Sequence, residues 1–246
     1  MTIRALIFDV DGTLAETEEI HRAAFNQTFA ETRLGWVWTS ELYGRLLRVT
    51  GGRERMAAYA AEVGTDSIDI ASLHRRKTAI FNQLLRRGPI ALRPCVAPLI
   101  RACRAKGPPL AIATTTSRPN VVSLLEATLG IGALEWFASV RAGEDVARKK
   151  PDPQVYHLVL SDLGLSPSDC IAFEDSANGF HAARAAGLPT VITPSLYTQG
   201  EDFAGAVCVI EDLTAFAHAA SRSGADFTSM FPRNGPVLDM DAANPI

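Results

Sequence analysis

Apolar residues along this 246-residue chain fall into two kinds of pattern. The first is the short unbroken run, seen at Ala5-Leu6-Ile7-Phe8, at Leu110-Ala111-Ile112-Ala113 and at Cys170-Ile171-Ala172-Phe173. Runs this short, closed by polar or turn-forming residues, predict strands covered on both faces. The second is the spaced pattern of helices, as in Ile20, Ala23, Ala24, Phe25 and Phe29. Strands are predicted at 5–8, 109–115, 137–141, 170–174, 189–193 and 206–210. Helices are predicted at 16–31, near 40–48, 53–63 and 70–86, and at 94–106, 119–129, 152–163 and 177–186.

The order of these elements predicts a domain plan. From about residue 92 helices and strands alternate, which implies a mostly parallel sheet with helices on both faces, an α/β core of Rossmann-like type. Residues 16–90 contain no convincing strand and read as a helical insertion, a cap. The core is then 1–15 plus 91–221. From 222 to 246 no period is visible, and Gly-Pro and Asn-Pro there favour a loose extension.

Chemistry collects where the short runs end. Asp9-Val10-Asp11-Gly12-Thr13 follows the first strand, at the carboxyl end where open α/β sheets place ligands. Side chains at i and i+2 of an extended segment point the same way, so Asp9 and Asp11 face one crevice. Carboxylates that close repel unless a cation or proton separates them. That arrangement suits a hard metal ion, a nucleophilic carboxylate and a proton-donating acid. Asp-Gly is also a frequent hairpin signal, so the five residues alone leave a plain turn open. Three later segments add parts. Thr114-Thr115-Thr116-Ser117, before Pro119 and Asn120, offers hydroxyls and free amides for a phosphate, or ordinary helix capping. Lys150 before Pro151 offers a point charge. Glu174-Asp175 offers oxygens for Mg²⁺, or partners for a helix dipole.

The ordered set of strand-DxDGT, strand-Thr/Ser, Lys-Pro and strand-Glu-Asp resembles the haloacid dehalogenase superfamily of phosphohydrolases. The resemblance implies that Asp9 is the nucleophile, forming an aspartyl-phosphate, and Asp11 the general acid and base. Thr115 and Lys150 would bind the transferring phosphoryl group. Asp9, the backbone carbonyl of Asp11, and Asp175 would hold Mg²⁺, with Glu174 helping through water.

Further motifs lie in the insertion: Glu-Thr-Glu-Glu-Ile-His-Arg, Thr-Gly-Gly-Arg-Glu-Arg and His-Arg-Arg-Lys-Thr. With Ala-Thr-Thr-Thr-Ser and Phe-Glu-Asp-Ser-Ala-Asn-Gly they resemble the CbbY proteins over residues 3 to about 213. That family hydrolyses xylulose-1,5-bisphosphate, a misfire product of Rubisco that inhibits it. The resemblance implies Glu18, His21, Gly51, Gly52, Arg53, His74, Arg75 and Lys77 as cap-side substrate contacts, and Thr116, Ser117 and Asn120 on the core side. A bisphosphate needs a second cation, which Arg53, Arg75 and Lys77 could supply. Arg53 stands where the subfamily pattern has lysine, which keeps charge and changes geometry. A β-phosphoglucomutase-type phosphomutase, or another small sugar-phosphate phosphatase, shares most of these features. A phospho-receiver domain uses similar residues, but it is about half this length and has no cap.

Charge and composition narrow the partners. The formal net charge of −3 gives no reason to expect nucleic acid or an anionic membrane. No apolar run approaches the roughly 20 residues of a membrane span, and no signal peptide precedes the first strand. Four cysteines without a CxxC pair read as reduced thiols. The expectation is a cytoplasmic monomer acting on a small phosphorylated sugar, or a stromal one if the source has plastids.

Overall fold

The structure is a computed structural model and describes residues 3–65 and 67–222. Its strands are β1 (Ala5–Phe8), β2 (Leu110–Ala113), β3 (Phe137–Arg141), β4 (Cys170–Glu174), β5 (Thr190–Ile192) and β6 (Cys208–Val209). The helices are α1 (Glu18–Glu31), α2 (Ser40–Leu46), α3 (Gly52–Glu62), α4 (Ile70–Arg87), α5 (Val96–Lys106), α6 (Arg118–Leu129), α7 (Gln154–Leu163), α8 (Ala177–Ala185) and α9 (Thr214–Arg222). The strands form one parallel sheet in the order β3-β2-β1-β4-β5-β6. The expected Rossmann-like α/β core is therefore present.

Covering both faces explains why the strand runs are apolar without alternation. Leu6 and Phe8 of β1 enter a core shared with α4, α5, α6 and α9. Ala5 and Ile7 enter a second core under α7 and α8. Aromatic rings tie the first core together: Phe8 stacks on Phe173 at 4.7 Å, and Phe173 meets Phe216 edge-on at 5.1 Å. The segment α1–α4 has an apolar cluster of its own, built on Phe25, Phe29, Trp36, Trp38, Tyr43 and Met56. Its helices α1 and α4 lie side by side, and Ile80, Phe81 and Leu85 of α4 also join the sheet's first core.

Several predicted elements differ in extent. The strand expected to run to 115 stops at Ala113; Thr114 then turns, its Oγ1 accepting from Thr116 N at 3.2 Å. The strand expected over 206–210 is the two-residue edge strand β6. Helix α9 lies outside the elements that the apolar pattern predicts. It packs on α5 through Phe216, Ala217 and Ala220, behind Asp212, whose side chain accepts from Thr214 N at 2.8 Å. Of the expected 222–246 extension, only Arg222 at the end of α9 lies within the described residues.

The order in which strands are added reverses at β1: β2 and β3 lie on one side, β4 to β6 on the other. The crevice at the carboxyl ends of β1 and β4 is where such sheets bind ligands, and α1–α4 lie above it.

Candidate active site

Each carboxylate of the site is delivered by a strand end. Asp9 follows β1 and pairs in the ladder, its N–H donating to Phe173 O at 3.0 Å. Glu174 ends β4 and Asp175 follows it. Asp9, Glu174 and Asp175 are all buried, and each offers a ligand oxygen within 4.8 Å of the others. Gly12 makes room for this cluster. At φ +84° it takes a left-handed turn, and a Cβ there would lie 2.2 Å from Asp175 Oδ2.

One lysine offsets part of the charge. Lys150, buried and preceding a cis proline, donates to Asp9 Oδ1 at 2.6 Å, to Glu174 Oε1 at 2.6 Å and to Ala113 O at 2.8 Å. Tyr156 of α7 donates to the same Glu174 Oε1, and its ring lies under the ammonium, 5.1 Å from ring centre to Nζ. Among the described residues Glu174 Oε2 is buried without a hydrogen-bond partner. Burial pushes Asp9 up to about 7 against the pull of Lys150, with Glu174 adding to the rise. Burial also raises Asp175 well above the carboxylate range, and the charges of Asp9 and Glu174 add to it. Three buried acids with one lysine are short of positive charge, and an orphaned buried oxygen is costly. These residues fit a divalent cation.

Asp11 sits differently. Its Oδ1 accepts from Thr17 Oγ1 at 2.6 Å, just before α1, and faces His21 Nε2 at 3.0 Å. His21 Nδ1 in turn meets Lys77 Nζ at 2.6 Å. When Lys77 is protonated it can only donate, so Nδ1 then accepts and Nε2 carries the hydrogen that faces Asp11. His21 stacks on Phe81 at 3.9 Å, and the Lys77 ammonium also lies 4.5 Å from the Phe25 ring centre. Burial opposes ionisation of Asp11, yet the His21 and Thr17 bonds outweigh it and lower its pKa. Burial lowers Lys77 to about 7, with Arg55 adding and Asp11 opposing.

The cavity wall includes most of the residues picked from the sequence. Asp9, Asp11, Glu18, His21, Gly51, Gly52, His74, Lys77, Thr115, Thr116, Ser117, Asn120, Lys150, Glu174 and Asp175 all line it. Among the described residues Ser117 Oγ and Asn120 Oδ1 are buried without partners, while Asn120 Nδ2 donates to Thr116 Oγ1 at 3.1 Å. Two of the residues picked from the sequence are not on the wall. Arg75 is exposed and off the wall, because His74 and Lys77 at i, i+3 occupy the inner face of α4 and turn their neighbours outward. Arg76 beside it pairs with Glu31 at 2.6 Å. Arg53 is also exposed and off the wall, although its charge reaches His74. Lys77 is on the wall, but its ammonium is committed to His21. Burial lowers His74 to about 4, helped by Lys77 and Arg53, so it stands neutral near pH 7.

Other wall residues were missed. Arg55 is buried and lines the cavity, with Nε on Leu46 O and Val49 O and Nη1 on Tyr43 Oη at 3.1 Å. Ser195, Tyr197 and Thr198 belong to the loop after β5. Thr198 Oγ1 donates to Asp175 O at 2.6 Å, and the Ser195 hydroxyl lies close enough to the Asp175 carboxylate to oppose the rise in its pKa. The apolar-run signal that located strand ends pointed to this loop, since it follows β5. Among the described residues no helix is long and apolar enough to cross a membrane, and Cys95, Cys103, Cys170 and Cys208 are free thiols.

Comparison with known proteins agrees with this geometry. A sequence model of haloacid dehalogenase-like hydrolases matches residues 3–187. The CbbY protein of Rhodobacter capsulatus is 52% identical over 222 residues, 89% of this chain and 98% of that protein. CbbY from Rhodobacter sphaeroides, solved in complex with phosphate, superposes with a TM-score of 0.82 at 46% identity, covering 85% of this chain and 94% of that one. A mutant of the same protein, solved with xylulose-1,5-bisphosphate, gives 0.83 at 45% identity, covering 87% and 96%.

Proposed function

Because the chain belongs to the haloacid dehalogenase-like hydrolases, and within them to the CbbY proteins, we propose that it hydrolyses xylulose-1,5-bisphosphate to xylulose 5-phosphate and phosphate. Residues 1–15 and 91–221 are read as the core and 16–90 as a cap over the site. Asp9, Asp175 and the backbone carbonyl of Asp11 would hold Mg²⁺, with Glu174 beside them. When bound, the cation supplies positive charge to the phosphoryl oxygens and to the crowded carboxylates.

The chain's own residues divide the remaining work. Lys150 holds Asp9 Oδ1, which fixes the carboxylate's direction. Among the described residues Asp9 Oδ2 accepts no hydrogen bond, and this oxygen attacks phosphorus. Thr115, with the amides of the turn after β2, holds the phosphoryl oxygens. As the P–O bond to the sugar breaks, Asp11 gives the departing oxygen a proton, drawn through His21 from Lys77. In the second half Asp11 takes a proton from water, which attacks phosphorus and frees Asp9. The observation that carries this reading is the pairing of a lysine-fixed Asp9 with an Asp11 tied into the relay from α1 and α4.

The far end of the cavity suits a second phosphate. The α3 N-terminus has no side-chain cap, and its first amides follow Gly51 and Gly52. Arg53, although off the wall, and Lys149 are both close enough to act on His74, which lines the cavity. His74, kept neutral, pairs with a sugar hydroxyl rather than a phosphate.

The test is to stop turnover of ³²P-labelled bisphosphate with acid and map any protein-bound label. A hydroxylamine-labile label on Asp9, absent from Asp9→Asn, is expected. Turnover without label, or label on another residue, contradicts the assignment.

A further inference from the structure

We propose that Tyr197 is the positioning residue that holds the cap over the site before substrate binds, an inference that rests on reading α1–α4 as a cap. The loop after β5 that carries Tyr197 is anchored from below. Ser195 N donates to Thr198 Oγ1 at 2.8 Å, and that hydroxyl donates to Asp175 O at 2.6 Å. From this base Tyr197 reaches two cap helices. Its ring stands edge-on to Tyr43 of α2 at 5.7 Å and covers Gly44, where an added Cβ would lie 3.3 Å from the ring. Its hydroxyl donates to Glu19 Oε1 of α1.

Glu19 is a prepared acceptor. Arg22 grips its Oε2 through Nη2 at 2.7 Å and Nε at 3.0 Å, and spends its third nitrogen on Trp38 O at 3.1 Å. The carboxylate therefore cannot swing away without breaking a two-point grip. The bond is exposed, but it runs from a loop anchored at Asp175 to a carboxylate gripped by Arg22, so forming it costs little side-chain entropy. Tyr43 passes the contact inward, because its own hydroxyl donates to Glu18 Oε2 on the cavity wall at 2.5 Å.

A tie of this kind acts on binding. If the free protein is mostly closed, the apparent affinity equals the intrinsic one; if the closed fraction drops tenfold, the apparent affinity drops tenfold. Bound substrate then holds the cap itself, so the chemical step is spared. The expected signature is a raised KM with kcat retained.

The experiment uses the full chain as wild type, Tyr197→Phe, Glu19→Gln and the double variant. Tyr197→Phe keeps the ring on Tyr43 and removes only the hydroxyl. Small-angle scattering of the free proteins should show a larger radius of gyration for each variant, with no further increase in the double variant. With the bisphosphate, KM should rise about tenfold, the scale of one hydrogen bond to a charged group, while kcat stays within about twofold. An unchanged radius in Tyr197→Phe overturns the proposal, and so does a fall in kcat at constant KM. If the wild type does not hydrolyse the bisphosphate, the substrate reading fails, and the scattering alone still decides for or against the tie.

Discussion

Lys77 buries an ammonium between two aromatic rings and gives its hydrogen bond to His21. Such a group is expensive, so it has a measurable stability signature. Its pKa falls from the ordinary 10.5 to about 7 in the folded chain. Between those values the unfolded chain binds more protons, so stability rises with pH; below about 7 the cost of burying the charge is fully present. Lys77→Met should therefore gain about 1–4 kcal/mol at pH 6, as when a buried ion is replaced by an apolar group. The gain should shrink toward pH 9, and kcat should fall most for substrates with poor leaving groups. Melting curves at both pH values check it; a lower Tm at pH 6, or a gain independent of pH, contradicts it. Asp9, Asp11, Glu174 and Asp175 were legible because chain order alone puts them at or just past strand ends, and Lys150 because it precedes Pro151 in a loop between β3 and α7. Tyr156 and Arg55 were not, because their partners, Glu174 and Tyr43, are chosen by packing between distant segments.

Helix α8 shows how an element can be shaped by the site it serves. It is capped by Ser176, whose hydroxyl accepts from Gly179 N at 3.3 Å, directly after the Glu174-Asp175 pair. Glycine to alanine inside a helix normally stabilises by about 1 kcal/mol. At Gly179 an added Cβ would lie 1.9 Å from Glu174 Oε2. Gly179→Ala should instead cost about 1–3 kcal/mol, the scale of an overpacked core, and should raise the Mg²⁺ concentration needed for half-maximal activity. A Tm at or above wild type with unchanged Mg²⁺ dependence contradicts this. The pattern of apolar runs located the strands because both sheet faces are covered. It overran β2, since Thr114 and Thr115 continue a strand-like sequence while the backbone turns to present hydroxyls. It missed α9, although Leu213, Phe216, Ala217 and Ala220 hold a helical i, i+3, i+4, i+7 spacing behind Asp212; alanine-rich turns carry little apolar contrast.

Across the molecule, a core that supplies carboxylates faces helices that supply the hydrogen-bonded His21 and Lys77 and other residues of the cavity wall. The crowding of Asp9, Glu174 and Asp175 is a charge problem that a divalent cation relieves. Chelation with EDTA should abolish hydrolysis, and added Mg²⁺ should restore it. The same addition should raise the Tm of the chelated protein, because a ligand that binds only the folded state stabilises it. Activity that survives exhaustive chelation, or a Tm indifferent to Mg²⁺, contradicts the metal reading. Neither result identifies the sugar. Products and kcat/KM should be measured for purified enzyme with xylulose-1,5-bisphosphate and, in parallel, with β-glucose 1-phosphate. One phosphate released per bisphosphate, xylulose 5-phosphate as the other product and a clear kcat/KM preference for the bisphosphate are expected. Conversion of the hexose phosphate to its isomer without phosphate release, at a higher kcat/KM than the bisphosphate, would contradict the phosphatase assignment.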